Sequence, residues 1–285
     1  MRYTLVCVLV SFFQYGYSQN NFYQVYGNGG KVDTPVDVIS NLNGGYFVLG
    51  NTSNTSYGES KMLLLNIDSI GSQLWSKTYT PNYFGGGIAT SILQMDNGDM
   101  VLLGGSGGYL TDVHPYLFKI NINGDTLWSK FYKCDSPQYS YGSISLAEEL
   151  FNHDLLFVTS YETNSDSVLL NNWYFNPSVI SLVDSYGEQI WSNYYFTIDS
   201  AALKMTSSLV LEDSTVVLSG YTMGLDVSAV SHPFILKLNS DGTIIWDNIL
   251  DTEAYTNGNY GDGLYEKSNG NIIWSTNHRV IVFVN

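Results

Sequence analysis

The feature that most constrains this chain is an eight-residue phrase that occurs four times. The phrase consists of Asp or Asn, two residues, Gly, two residues, Leu or Ile, and Trp. Its copies are DSIGSQLW (residues 68–75), NINGDTLW (121–128), DSYGEQIW (184–191) and NSDGTIIW (239–246). Each copy follows an apolar run, and the copies are 53 to 63 residues apart. A repeat of this length with four strands per unit is typical of a β-propeller.

Each repeat unit contains four strand-like segments. In the first unit, residues 37–40 alternate in polarity, and an Asn-Gly-Gly turn at 43–45 leads into an apolar strand at 46–50. Residues 62–67 form a third strand, and the strand that contains Trp75 is the fourth. The Gly of the phrase is expected where a hairpin requires positive φ. The sequence predicts a single all-β domain over residues 19–285, with units at about 33–79, 85–132, 141–195, 201–250 and 260–285.

The last unit has only three predicted strands, and Asn285 aligns with Asp68 at the start of the phrase. A candidate fourth strand lies at the other end of the chain. The segment NFYQVYG (residues 21–27) aligns with LWSKTYT, so that Phe22 takes the place of Trp75 and Tyr26 that of Tyr79. We therefore predict a five-bladed propeller with four antiparallel strands per blade, whose last blade is completed by the N-terminal strand. The alternative is a piece of a larger ring. The Trp residues are predicted to pack between neighbouring blades.

Charge and the N-terminal segment indicate where the protein acts. Arg2, an apolar stretch at 5–13 and small residues at 16–18 are typical of a signal peptide over residues 1–18, although a buried first strand is the alternative. We expect a secreted, periplasmic or cell-surface monomer with no transmembrane segment, because no run approaches the ~20 apolar residues that one requires. The formal net charge of −15 argues against nucleic acid as a partner.

The phrase, together with the preceding strand, carries a resemblance to known families. It resembles the repeat of pyrroloquinoline-quinone-like propellers, including the outer-membrane assembly lipoprotein of that fold. The segments GGYFVLG (44–50) and LLLNIDSIGSQLWSKTY (63–79) look still more like secreted propellers of Bacteroidota. The resemblance implies the fold and no particular activity. Quinone dehydrogenases of this type resemble an eight-bladed ring, whereas five units occur here, so we expect no quinone and no other cofactor.

Three histidines recur at one repeat position: His114, His232 and His278 each lie seven residues before the Asn121, Asn239 or Asn285 position. Strand spacing of ~4.8 Å would put equivalent residues in adjacent blades on the order of 15 Å apart. Zinc, with bonds of ~2.1 Å, cannot collect ligands over that span. We therefore predict structural histidines and no metal site, and we expect His153 to be exposed in an opposite turn.

Carboxylates near the innermost strands are candidate catalytic groups for glycoside hydrolysis, which uses two or three such groups. The candidates are Asp33, Asp37, Asp199 and Asp262, together with Glu148 and Glu149 on an inner strand. No arrangement in the sequence singles out an acid with a raised pKa. The sequence therefore predicts no catalytic residue.

Aromatic residues in predicted loops are the favoured binding determinants. Loops between blades and the long loop at 162–177 should emerge on one face of a propeller, where Tyr and Trp offer large amphipathic contacts to glycans or peptides. The alternative is packing at the blade rim. The predicted ligand-binding residues are Tyr83, Phe84, Tyr139, Tyr141, Trp173, Tyr174, Phe175, Tyr255 and Tyr260.

These observations favour a non-catalytic propeller that binds a glycan, peptide or protein on its aromatic loop face. The first alternative is a secreted polysaccharide hydrolase with carboxylates in its channel. The second is a scaffold fragment of a larger cell-envelope protein.

Overall fold

The structure is a computed structural model, and it describes twelve parts of the chain. They comprise residues 24–27, 31–42, 44–54, 60–81, 86–106, 114–133, 139–163, 178–195, 202–223, 232–250, 261–276 and 280–283. The predicted signal peptide, Phe22 and Asn285 lie outside these residues.

Nineteen strands form five antiparallel sheets in chain order, and the described residues contain no helix. Four sheets have four strands, and the fifth has three within the described part of the chain. The first to fifth sheets consist of β1–β4 (Val32–Ser40, Tyr46–Ser53, Lys61–Ile67, Gln73–Tyr79), β5–β8 (Gly87–Gln94, Met100–Ser106, His114–Ile120, Thr126–Phe131), β9–β12 (Tyr139–Glu149, Leu155–Thr163, Ser178–Val183, Gln189–Tyr195), β13–β16 (Ala202–Val210, Val216–Met223, Pro233–Leu238, Ile244–Ile249) and β17–β19 (Gly261–Glu266, Ile272–Thr276, Val280–Phe283).

The first strand of each sheet lies beside the first strand of the next. Strand β1 contacts β5, β5 contacts β9, β9 contacts β13, and β13 contacts β17. Side-by-side sheets that meet at their first strands form a β-propeller-like arrangement. The all-β prediction is confirmed. Five complete blades are not seen among the described residues, because the fifth sheet there ends at β19.

Apolar side chains fill the seams between successive sheets. In the first seam, Phe47 and Leu49 of β2 face Met100 and Leu102 of β6, and all four are fully buried. Equivalent clusters fill the seams between the second and third, third and fourth, and fourth and fifth sheets. A second strand must therefore be apolar on both faces, which explains the uninterrupted apolar runs in the sequence.

The last strand is offset by one residue from the sequence alignment. Phe283 pairs with Ile272 as Ile67 pairs with Tyr46. The alignment of Asn285 with Asp68 would instead require residue 284 in that place. The alignment at the end of the fifth unit was therefore wrong by one position.

Nine hairpin turns in the described residues share one geometry. Each spans five residues; the first N–H donates to the fifth carbonyl, and the fourth N–H donates to the first carbonyl. The fourth residue has positive φ in every case and is Gly in seven turns. His153 and Ser214 take this position in the other two, with φ of 66° and 65°. The glycine of each phrase copy has positive φ, which confirms the prediction. Glycine is favoured there because an L side chain is strained in this conformation.

Replacement of Ser214 by Gly should stabilise the protein by about 1 kcal/mol, because it removes the left-handed strain at that exposed position. The N–H bond from residue 214 to the Leu211 carbonyl would remain. Urea unfolding of Ser214→Gly would measure the gain, and Ser214→Ala, which keeps a Cβ, is the matched control. Equal stability of the two variants would contradict this account.

Candidate functional site

In the first three sheets, a tyrosine at the end of the fourth strand or directly after it reaches across the seam to a turn of the next sheet. The Tyr79 hydroxyl donates to the Gly124 carbonyl at 2.8 Å, Tyr132 donates to Gly187 at 3.1 Å, and Tyr195 donates to Gly242 at 2.6 Å. The three tyrosines are buried. Burial raises the pKa of each hydroxyl, so all three remain protonated donors at neutral pH.

The repeated Trp lies on the same turn. Trp128 Nε1 donates to the Ser185 carbonyl at 3.0 Å, and Trp191 Nε1 donates to the Ser240 carbonyl at 3.1 Å. A Cβ added to Gly187 would lie 3.0 Å from the Trp128 ring. This turn residue must therefore be Gly for the close approach of an indole as well as for its φ. The prediction that Trp packs between neighbouring sheets is confirmed.

Lysines complete the contact in two seams. Lys77 Nζ lies 2.7 Å from Asp125 Oδ1 and also donates to the Asn123 carbonyl, and Lys130 pairs with Glu188. The hydrogen bond from Lys77 holds the pKa of Asp125 below its ordinary value. Exposed pairs of this kind add little stability. We call the Tyr–Gly bond, with its accompanying Trp and Lys contacts where present, the seam latch.

The N-terminal segment forms the same bond to the first sheet. The Tyr26 hydroxyl donates to the Gly71 carbonyl at 2.6 Å. Gly71 is the turn glycine of the first phrase, equivalent to Gly124, Gly187 and Gly242. Tyr26 therefore makes the same hydrogen bond to the first sheet that Tyr79 makes to the second, as the sequence alignment predicted.

Loss of a latch hydroxyl should weaken a seam. Tyr132→Phe keeps the ring but leaves the buried Gly187 carbonyl without this donor, at an expected cost of about 1–2 kcal/mol in unfolding free energy. Tyr186→Phe is the control, because Tyr186 lies in the same turn as Gly187 but is 74% exposed. Chemical denaturation would measure both variants; equal stability would show that the bond is not needed.

The two ends of the sheets differ in their connections. All nine five-residue turns lie at one end, which we call the turn end. The antiparallel strand order puts the other connections, of 3 to 14 residues, at the opposite end, which we call the loop end. The longest joins β10 to β11. Two loop-end connections are tied together where Gly87 N–H donates to the Ser60 carbonyl at 2.8 Å.

Of the nine predicted aromatic residues, the structure describes only Tyr139 and Tyr141. Tyr139 and Tyr141 lie within β9, and not in the connection before it as predicted. A strand begins there because its partner β10 continues to Thr163, opposite Tyr139. The described residues include the backbone but not the side chains of this pair. The others lie outside the described residues: Tyr83, Phe84, Trp173, Tyr174, Phe175, Tyr255 and Tyr260.

Two of the candidate carboxylates tie neighbouring sheets together. Asp37 Oδ2 accepts from Ser91 Oγ at 2.7 Å and from the Ile92 N–H at 3.0 Å. Glu149 Oε2 accepts from the Asp96 N–H at 2.7 Å, and its Oε1 lies 2.8 Å from His153 Nδ1. Their oxygens thus satisfy neighbouring donors, which is a structural role. Asp199 lies outside the described residues, and only the backbone of Asp262 in β17 is described.

Glu148 is a candidate that the sequence analysis names but does not distinguish from the other carboxylates. By strand pairing it takes the place that Ile39, Leu93 and Leu209 occupy in other sheets. It lies in the seam between the third and fourth sheets, where Ser208 Oγ donates to Oε1 at 2.6 Å. Burial raises its pKa, a property that no arrangement in the sequence had singled out. The sequence signal for Glu148 is that the equivalent residues in these other sheets are apolar.

Glu148→Gln should stabilise the protein at pH 7. Because the folded-state pKa is raised, the cost of ionising Glu148 appears as pH rises above the ordinary Glu pKa of about 4.3 and grows through the folded value. The gain from Gln, which can still accept from Ser208, should therefore vanish in acid. Thermal melts between about pH 4 and 8 would show this trend. Glu212→Gln, at an exposed turn position, is the control, and a pH-independent difference would contradict the assignment.

The histidines occupy separate positions. His114 begins β7, with its ring centroid 6.4 Å from that of Phe131, and the backbone N–H of His232 donates to Thr222 Oγ1 just before β15. His278 lies outside the described residues. His153 is exposed, as predicted. The described part of the chain contains no group of three or more His, Cys, Asp or Glu residues that could hold a metal ion.

A search for membrane-crossing helices within the described ranges finds none of sufficient length and apolar character.

Comparisons with known proteins support the fold only. No family model and no curated protein matches the chain. A protein of unknown function from Dyadobacter fermentans is 11% identical, with a TM-score of 0.56 over 87% of this chain and 80% of that one. A PL25 ulvan lyase is 12% identical, with a TM-score of 0.51 over 85% of this chain and 66% of that one. At such identities the likeness is one of all-β architecture, and the resemblance to quinone-type repeats remains a prediction.

Proposed function

We propose that this protein is a secreted, non-catalytic binding module that holds a glycan, peptide or protein ligand at the loop end of a five-bladed propeller. The observation that carries the proposal is the asymmetry of the two ends. Short hydrogen-bonded turns occupy one end and leave little variable surface. The long connections, where all-β scaffolds place their binding residues, gather at the other end.

The composition of the loop end supports ligand binding. Its connections and the strand positions beside them carry the nine aromatic residues predicted from the sequence. Tyr and Trp present large rigid surfaces with a polar group, at a low cost in side-chain entropy. The chain is also acidic, with 26 Asp and Glu against 11 Lys and Arg, which favours neutral or basic ligands. The signal-like residues 1–18 support secretion.

Ring closure by the N-terminal strand is part of the proposal. In the three seams that contain the tyrosine, the latch bond comes from the end of the preceding sheet's fourth strand or directly after it. Tyr26 forms the same bond to the first sheet. The fifth sheet has three strands in the described residues and therefore offers β19 as the pairing edge. A fourth strand there would cover an edge that otherwise invites association.

Deletion of residues 19–27 from the mature protein should open the ring. The expected result is a lower melting temperature and concentration-dependent association, because both β19 and the face of the first sheet lose their cover. Light scattering and thermal melts would detect these changes. Tyr26→Phe, which removes only the latch hydroxyl, should cost no more than Tyr132→Phe. A monomeric deletion variant that melts like the wild type would exclude closure by this segment.

A polysaccharide-degrading enzyme is the second candidate. The buried carboxyl group of Glu148, with its raised pKa, favours it, since general acids in glycan hydrolysis share that property. The likeness in fold to an ulvan lyase is consistent with a glycan as ligand. Glu148 lies within a seam and bonds Ser208, however, so its environment favours a structural role.

A glycan-array screen of the mature chain, with sugar release and unsaturated-product formation measured on every hit, would separate the candidates. Binding without product formation, abolished by Trp173→Ala or Tyr260→Ala, would support the binding module. Tyr186→Ala, on the turn end, is the matched control and should bind normally. Product formation lost in Glu148→Gln would support the enzyme, and binding unaffected by the loop-end variants would overturn the proposed site.

A further inference from the structure

The back face of the first sheet, which is the face turned away from the second sheet, differs from the back faces of the other four sheets. On the second strand, two positions of each sheet face back toward the preceding one. In four sheets these side chains are at most 1% exposed: Met100 and Leu102, Leu155 and Phe157, Val216 and Leu218, and Ile272 and Trp274. In the first sheet, Tyr46 is 40% exposed and Val48 is only half-buried. The back face of the first sheet is thus incompletely covered.

One side chain of this face is also small in the sequence. Val48 stands where the other sheets have Leu102, Phe157, Leu218 and Trp274. The smaller side chain leaves space on the back face of the first sheet.

That space is a cavity of about 350 Å³ between residues 24–27 and the back face of the first sheet. Its floor is aliphatic and consists of Val48, Leu63 and Leu65. Tyr26 bounds the cavity and is held in place by its bond to Gly71. A volume of this size lies at the lower end of the range for small-molecule sites.

Polar groups lie along one edge of the floor. Asn51 also borders the cavity, but its amide group bonds the Ala89 backbone of the second sheet, accepting from the N–H at 2.7 Å and donating to the carbonyl at 3.4 Å. Thr34 and Asp33 follow on β1. Asp33 is half-buried and is the one charged side chain among the described residues that line the cavity. An aliphatic floor with a single carboxylate at its edge complements an apolar molecule with a cationic head group.

We propose that this cavity, which we call the seam pocket, binds a small amphipathic amine: an apolar body on Val48, Leu63 and Leu65, and an ammonium group directed to Asp33. The excess of acidic over basic residues in the chain also favours a cation over an anion. None of the nine predicted aromatic residues is among the described residues that line the cavity, so the proposal adds a second ligand to the proposed function.

Three probes of equal chain length test the pocket: hexylammonium, hexanol and hexanoate, titrated by calorimetry against the mature chain. We expect saturable one-to-one binding of hexylammonium, weaker binding of hexanol and none of hexanoate. Asp33→Asn should weaken hexylammonium binding about tenfold, since it removes one charge-assisted contact. Equal affinity for hexylammonium and hexanol, or no saturable binding of hexylammonium, would overturn the proposal.

A filled pocket gives the second test. Val48→Phe reproduces the residue found at this position in the third sheet and should raise the melting temperature while abolishing hexylammonium binding. Ile190→Phe, at an exposed position of β12, is the matched control and should bind normally. Hexylammonium binding that persists in a folded Val48→Phe variant would place the probe elsewhere. Both variants should retain any glycan binding at the loop end, so failure of the seam pocket is distinguishable from failure of the proposed function.

Discussion

The seam latch is the interaction on which the rest of the structure depends. Each repeat phrase contains a turn that accepts a latch bond from a tyrosine about one repeat earlier in the chain. Tyr79 and Gly124 illustrate this, since the hydroxyl of one sheet satisfies a buried turn carbonyl of the next. In the first three copies the strand after the turn carries both Trp and Tyr toward the following sheet, whereas the fourth copy has Trp246 and, in place of Tyr, Leu250. The phrase therefore recurs because it supplies both the acceptor turn and the strand that reaches the next sheet.

A chain of latched sheets has two ends, and their joining decides whether it is a ring. Tyr26 supplies the latch for the first sheet from a segment that precedes it in the chain. The back face of the first sheet is packed more loosely than those of the other sheets, as the exposure of Tyr46 shows beside that of Met100. Residues 24–27 cover this face only in part and leave the seam pocket between them and the sheet. Loose packing on this face leaves the space that a small ligand would occupy.

Much of the fold could be predicted from local patterns, whereas the candidate site could not. The strands, the turns and the inter-sheet role of Trp follow from polarity and from the steric needs of Gly. Asp37 was a candidate for chemistry, yet it bonds Ser91 of the next sheet. Glu148 was set aside, yet burial raises its pKa. The environment of each carboxylate depends on Ser91 or Ser208, more than fifty residues away in sequence, and no local pattern reports that partner.

The sequence by itself determined the repeat unit, the positions of its turns and the residues of the latch. These follow from positive φ, from strand periodicity and from the fixed spacing between Gly, Trp and Tyr. The tertiary structure alone decided which carboxylates are buried or paired, and that the back face of the first sheet keeps a cavity. The physical reason is that burial and complementarity belong to pairs of surfaces. Val48, for example, leaves a cavity only because residues 24–27 do not fill the space above it.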